Sequence, residues 1–153
     1  MKISYKTDYA LKALLELALR HEDGSGVMSI QEIAEKGDMP KKFLEQILLQ
    51  LKRGGFVKSK RGIEGGFTLA KDPKGITVGD VIRSIEGPIE PISCIENKEY
   101  KGCKDIGRCI FRSIWQDISN AISVVVDTMT FEELIMRYRE KRLKSEALYD
   151  YVI

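Results

Sequence analysis

A single histidine, His21, and a single tryptophan, Trp115, stand in a chain of 153 residues that holds only three cysteines and four prolines. One histidine excludes zinc sites that need two, and it leaves a serine–histidine–acid hydrolase poorly supplied with a base. No uncharged apolar run approaches the roughly 20 residues a membrane helix needs, so no membrane partner is expected. Lys6, Asp8, Lys12 and Glu16 interrupt the apolar residues of the first 19 positions, which argues against a signal peptide and for a cytoplasmic protein. Three cysteines in such a chain are not a disulfide framework. Gly62-x-x-Gly65-Gly66 lacks the strand–loop–helix setting of a phosphate loop, and no acid–base set converges, so an enzyme is not expected.

What is present is charge, and it is segregated. The net value of +2 averages a basic block with an acidic one. Residues 41–61 carry seven basic side chains against one acid, Glu45, whereas residues 76–100 carry two against five. The basic block points to a polyanion.

Apolar periodicity predicts a first helix from about Ser4 to Arg20, with Leu11, Leu14, Leu15 and Ala18 on one face. Ser29 and Glu32 form a capping box for a short second helix that Gly37 stops. Pro40 suits the first turn of a third helix, with a stripe of Phe43, Leu44, Ile47, Leu48 and Leu51. Alternation at Phe56–Lys60 and at Phe67–Ala70, around a glycine-bearing turn, predicts a hairpin whose tip carries Arg61. Helix, turn, helix and basic hairpin together make a winged helix. A helix capped at Thr77 follows, then an irregular stretch, 89–108, then a long helix from about Cys109 to Asp127. Its stripe of Ile110, Ile114, Ile118, Ala121, Ile122 and Val125 is about 27 Å long at 1.5 Å per residue. A second copy of the chain is the economical cover for it. A last helix, capped at Thr130, is expected to decay into the charged segment 137–144.

The second helix of a helix-turn-helix presents its N-terminal residues to base edges. Those are Lys41, Lys42, Glu45 and Gln46, with Gln50 one turn on. Lysines serve phosphate or guanine, glutamine can pair with adenine, and glutamate can accept from cytosine. The alternative for Glu45 is an ion pair with Lys41 or Lys42. Arg61 beside Gly62 fits a minor groove, with Lys58 and Lys60 on phosphates. Cys94, Cys103 and Cys109 are spaced C-x8-C-x5-C beside a helix N-terminus and near Lys101, Lys104 and Arg108, which favours thiolates. The spacing alone leaves a metal site and three unrelated thiols equally open.

Tyr5–Leu14, Phe43-Leu44-Glu45-Gln46, Arg61-Gly62-x-x-Gly65-Gly66-Phe67-x-Leu69 and Ile76–Ile82 resemble the IscR/NsrR/CymR family of bacterial winged-helix regulators, and the likeness continues through the cysteine loop and the Trp115 helix. The resemblance implies a homodimer on operator DNA. In several branches it also implies three loop cysteines holding an iron–sulfur cluster that tunes DNA affinity. Where the IscR branch has a histidine ligand three residues after the third cysteine, this chain has Arg112, which cannot ligate. In the NsrR branch an acid from the other subunit completes the site, and Asp8 stands at the matching place; the alternative is a helix N-terminal acid favoured by the dipole. The CymR branch binds no cluster.

The expected protein is mainly α with a small β-hairpin wing: a winged helix-turn-helix (1–88), a cysteine-bearing loop (89–109), and a dimerisation helix with a C-terminal helix (110–153). It is a homodimeric regulator of an imperfectly palindromic operator, controlled by a labile cluster on Cys94, Cys103, Cys109 and Asp8. Two-iron or four-iron, the signal sensed (cluster supply, iron, nitric oxide or oxidation) and repression or activation stay open. The alternatives are a cluster-free or thiol-switch regulator of the same fold and a module that binds protein rather than DNA.

Overall fold

The structure, a computed structural model, describes residues 3–24, 26–95 and 102–150, the last four by backbone alone. The first helix, α1 (Tyr5–Glu22), begins where the Ser4 hydroxyl accepts the Thr7 amide. It buries Ala10, Ala13, Leu14, Leu17 and Ala18, whereas Leu11 and Leu15 flank this face half-buried. The capping box is formed: Ser29 Oγ accepts the Glu32 amide at 3.2 Å, and Glu32 Oε2 accepts the Ser29 amide at 2.8 Å. Short α2 (Ile30–Lys36) ends at Gly37, and Asp38 turns the chain with φ at 49°. Pro40 is the N-cap of α3 (Lys41–Arg53) rather than a member of its first turn.

One residue of the expected α3 stripe departs from it. Leu44, Ile47, Leu48 and Leu51 are buried, but Phe43 is 60% exposed. At 100° per residue Phe43 lies about a quarter-turn from the centre of the arc those four define, on its flank beyond Ile47, so the core closes without it.

Strands β1 (Val57–Lys60) and β2 (Gly66–Leu69) pair antiparallel, Lys60 opposite Gly66. Met28 exchanges two backbone hydrogen bonds with Phe67, at 2.9 and 2.8 Å, and so pins the hairpin to the helical head. That contact needs glycine at position 66, because a Cβ there would strike the Met28 carbonyl. Helix α4 (Val78–Glu86) follows, with its own capping box between Thr77 and Asp80. Then come α5 (Ile110–Thr128) and α6 (Phe131–Asp150).

The chain is mainly helical with one two-stranded hairpin among the described residues, in the expected order. Two features of the C-terminal third differ from the expectation. Phe131 and Ile135 are fully buried in the same core as α1 and α3, so the first turns of α6 pack with the winged helix rather than with α5. Nor does α6 decay at its charged segment: the helix runs on to Asp150, with Glu133–Arg137 and Arg142–Glu146 pairs four residues apart.

Polar contacts lock α4 to three other helices. The Arg83 guanidinium donates to both carboxylate oxygens of Asp127 on α5, at 2.6 and 2.9 Å. Gly79 makes room for that pair, since a Cβ there would overlap Asp127. Gln50 Nε2 donates from α3 to the Ser84 carbonyl at 3.0 Å. Glu86 accepts from the Ser4 amide at 2.8 Å and from the Thr7 hydroxyl at 2.6 Å, joining α4 to the start of α1.

The hydrogen bonds from Ser4 and Thr7 hold the Glu86 carboxyl below its ordinary range. A depressed folded value means that Glu86 stabilises the fold fully above its unfolded value, about 4.3, and loses that contribution as pH falls through the folded value. Glu86→Gln is therefore expected to lower the unfolding temperature near neutral pH and to converge with wild type at acid pH. Because Glu86 is exposed, the difference stays within about 1 kcal/mol. A melting series between pH 3 and 7 checks it, and parallel curves for the two proteins would contradict the assignment.

Candidate functional site

The first two turns of α3 present Lys41, Lys42, Glu45 and Gln46 to solvent. Among the described residues no ion pair involves Glu45, so the pairing with Lys41 or Lys42 is not formed. Gln50 stands apart from this set. It is half-buried and its amide nitrogen is engaged by Ser84, which turns it toward α4 rather than outward. Lys52, at the other end of α3, reaches Ser59 Oγ at 2.5 Å and so links the helix to the wing.

In the wing, Lys58, Lys60 and Arg61 are all exposed. The tip closes with the Gly65 amide on the Gly62 carbonyl at 2.9 Å, and Gly62 has φ at 115°, a conformation that suits glycine. Arg61 thus sits at the entrance of a tight turn, flanked by lysines. The start of α3 and the hairpin thus each carry exposed basic side chains, the charge the sequence assigned to a polyanion.

The cysteines lie at the far end of α5. After Gly87 the chain runs back along α5, with the buried Ile89 carbonyl bonded by Ser119 Oγ at 3.1 Å and the Cys94 carbonyl bonded by Arg112 Nε at 3.2 Å. Seven residues separate Ser119 from Arg112, about 10 Å of helix, so this segment climbs α5 toward its N-terminus. Cys109 waits there as the N-cap of α5. The Arg112 amide also donates to the Cys109 carbonyl at 3.3 Å. The Arg112 side chain therefore brings the Cys94 backbone against the first turn of α5, which Cys109 opens.

Cys109 makes no side-chain cap, which leaves the amides of the first turn of α5 as a positive end beside the thiols. Lys104 and Arg108 are exposed in the same loop, while Lys101 lies outside the described residues. Cys94 and Cys109 are half-buried and Cys103 is exposed. The three thiols fit an iron–sulfur group in chemistry, because thiolates are its ligands. Among the described residues of one subunit, however, no three cysteine, histidine, aspartate or glutamate side chains are gathered closely enough to hold a metal. Asp8 is on the first turn of α1, partly exposed, and pairs with Lys12 at 2.8 Å. His21, at the other end of α1, is exposed.

Two positions lay outside sequence reasoning. The Arg112 contact with Cys94 joins residues 18 apart through a backbone carbonyl, which leaves no pattern in side-chain identities. Phe43 was legible only as one more apolar residue of the α3 repeat.

Residues 3–137 match the family described as Rrf2, iron-dependent transcriptional regulators. The chain belongs to the Rrf2 family. Among its relatives, the HTH-type transcriptional regulator CymR of Bacillus subtilis is 39% identical over 134 residues, covering 88% of this chain and 89% of that one. IscR of Yersinia pseudotuberculosis is 34% identical over 135 residues, with 88% and 79% covered. The solved structure of CymR, the global cysteine regulator of B. subtilis, superposes with a TM-score of 0.74 at 36% identity over 90% of this chain and 98% of that one. T. potens IscR follows with 0.73 at 30%, over 92% and 90%. As an Rrf2 protein the chain is a DNA-binding winged-helix transcription regulator and not an enzyme, which sets aside the protein-binding alternative. No helix among its described residues is long and apolar enough to cross a membrane.

Proposed function

We propose that this Rrf2 protein is a homodimeric, cytoplasmic regulator whose affinity for an imperfectly palindromic operator is controlled by a labile iron–sulfur cluster on Cys94, Cys103 and Cys109, with Asp8 of the partner subunit as fourth ligand. The observation that carries the reading is the double hold of Arg112 on Cys94 and Cys109 at the positive end of α5. The cluster, when bound, supplies a redox- and iron-sensitive crosslink between the thiols. Arg112 holds the backbone carbonyls of both Cys94 and Cys109, which brings the two segments that bear these cysteines to the start of α5. Asp127 and Arg83 join α5 to α4; from there Gln50 leads to the recognition helix and Glu86 to α1, the helix that bears Asp8. The cysteine loop and the reading head are thereby parts of one hydrogen-bonded assembly.

The test is the visible spectrum of protein made without oxygen but with iron and sulfide, read beside its operator affinity before and after cluster loss. A colourless protein with an unaltered DNA response rejects the reading. That outcome would favour a cluster-free regulator, a second reading supported by the likeness to CymR and by the ungathered thiols of the single subunit.

For the DNA face, Arg61→Ala is expected to weaken operator binding by about 1–3 kcal/mol. Lys58→Ala should weaken operator and random duplex alike and flatten the salt slope by about one. Titrations at matched salt check both. An Arg61→Ala protein as tight as wild type removes the wing from the interface.

A further inference from the structure

Phe43 is an apolar side chain that the fold leaves in water at the start of the recognition helix. With Tyr5, Lys6, Tyr9, Gln46 and Ile47 it lines a concavity of about 500 Å³ between α1 and α3. Tyr5 is 80% exposed, and its ring lies 6.4 Å from that of Tyr9. The floor is therefore aromatic and aliphatic, while Lys6, Lys41 and Lys42 on the same two helices are exposed cations. An occupant must offer an apolar group on a polyanion. On the major-groove edges of a duplex, that group is the C5-methyl of thymine.

We propose that Phe43 reads a thymine methyl in each operator half-site, beside the base contacted by Gln46. This rests on α3 being the recognition helix. Phe43 and Gln46 are three residues apart and so share one side of α3. Gln46 makes no hydrogen bond among the described residues, so its amide is available to a base edge. Phe43 sits in the first turn, the part of a recognition helix that reaches bases. The pair would prefer an A/T-containing step: adenine through the amide and thymine through the ring.

The experiment uses a duplex selected from a random library by the wild-type dimer. Each thymine in turn is replaced by deoxyuridine, which removes only the methyl. One position per half-site should cost wild type about 4-fold in affinity, the transfer value of a single methyl group. Phe43→Ala should lose a similar factor on the thymine duplex and be indifferent to the same replacement, with Phe43→Leu in between. Circular dichroism of the variants should match wild type, since Phe43 is not part of the core. If every deoxyuridine is neutral for wild type, or if Phe43→Ala keeps the penalty, the proposal is overturned. It also falls if Phe43→Ala changes sedimentation while selecting the same duplex, which assigns the patch to a protein contact. A wild-type dimer that selects no sequence overturns the recognition-helix reading itself.

Discussion

Ile118→Glu is expected to convert the proposed dimer to monomers or insoluble chains and to weaken operator binding by about 10²- to 10⁴-fold. On α5 the buried Ser119 faces the 89–95 segment, while Ile110, Phe111, Ile114, Ile118 and Val125 face water, Ile110 being 72% exposed. Such a run of apolar residues on one helix is larger than a soluble monomer ordinarily leaves uncovered. Ile118 lies midway along it, so a two-fold axis near Ile118 would bring the two copies of that residue together, and two carboxylates there could neither pair nor reach water. A dimer so built would be expected to set two α3 helices about 34 Å apart, one turn of DNA. Losing it replaces two linked half-site contacts by one. Sedimentation of wild type and variant checks the assembly, with Asn120→Glu, on the polar side of α5, as the control that should remain dimeric. A stable monomeric wild type would remove the α5 face as the interface.

Cys103→Ala should abolish the visible chromophore of protein assembled with iron and sulfide, whereas Asp8→Ala should leave it present but shifted or short-lived. The difference follows from ligand chemistry. A thiolate is a strong ligand, and losing one of three leaves too few; an oxygen ligand is the easiest to displace and the least missed. Cys103 is exposed, so its removal leaves the apolar core intact and the loss of colour reports ligation rather than unfolding. Asp8 must also leave its ion pair with Lys12 to bind a metal. Lys12→Ala should therefore lengthen the lifetime of the chromophore, and chelator-challenge half-times measure it. Equal half-times in wild type, Asp8→Ala and Lys12→Ala would separate Asp8 from the site and leave it a helix N-terminal acid.

The capping boxes at Ser29 and Thr77 and the stop at Gly37 were legible in the chain because each depends on neighbours a few residues apart, and the hairpin between Val57 and Leu69 because its pairs lie within 12 positions around a glycine-bearing turn. The same holds for the basic block and for the apolar face of α5, which periodicity marks whether or not a partner covers it. Family membership was legible too, through motifs spread along the whole chain. The outward turn of Phe43 was not, because its burial depends on where α1 lies, and a helical repeat cannot distinguish the flank of a face from its centre. The return of Phe131 and Ile135 to the core, the Arg83–Asp127 clamp and the hold of Arg112 on Cys94 join residues 18 or more positions apart. Local sequence determined the elements of this regulator and the polarity of their faces, since both arise from side-chain identity and short-range hydrogen bonding. Tertiary structure alone decided which faces meet, because that depends on excluded volume and on hydrogen bonds between distant elements.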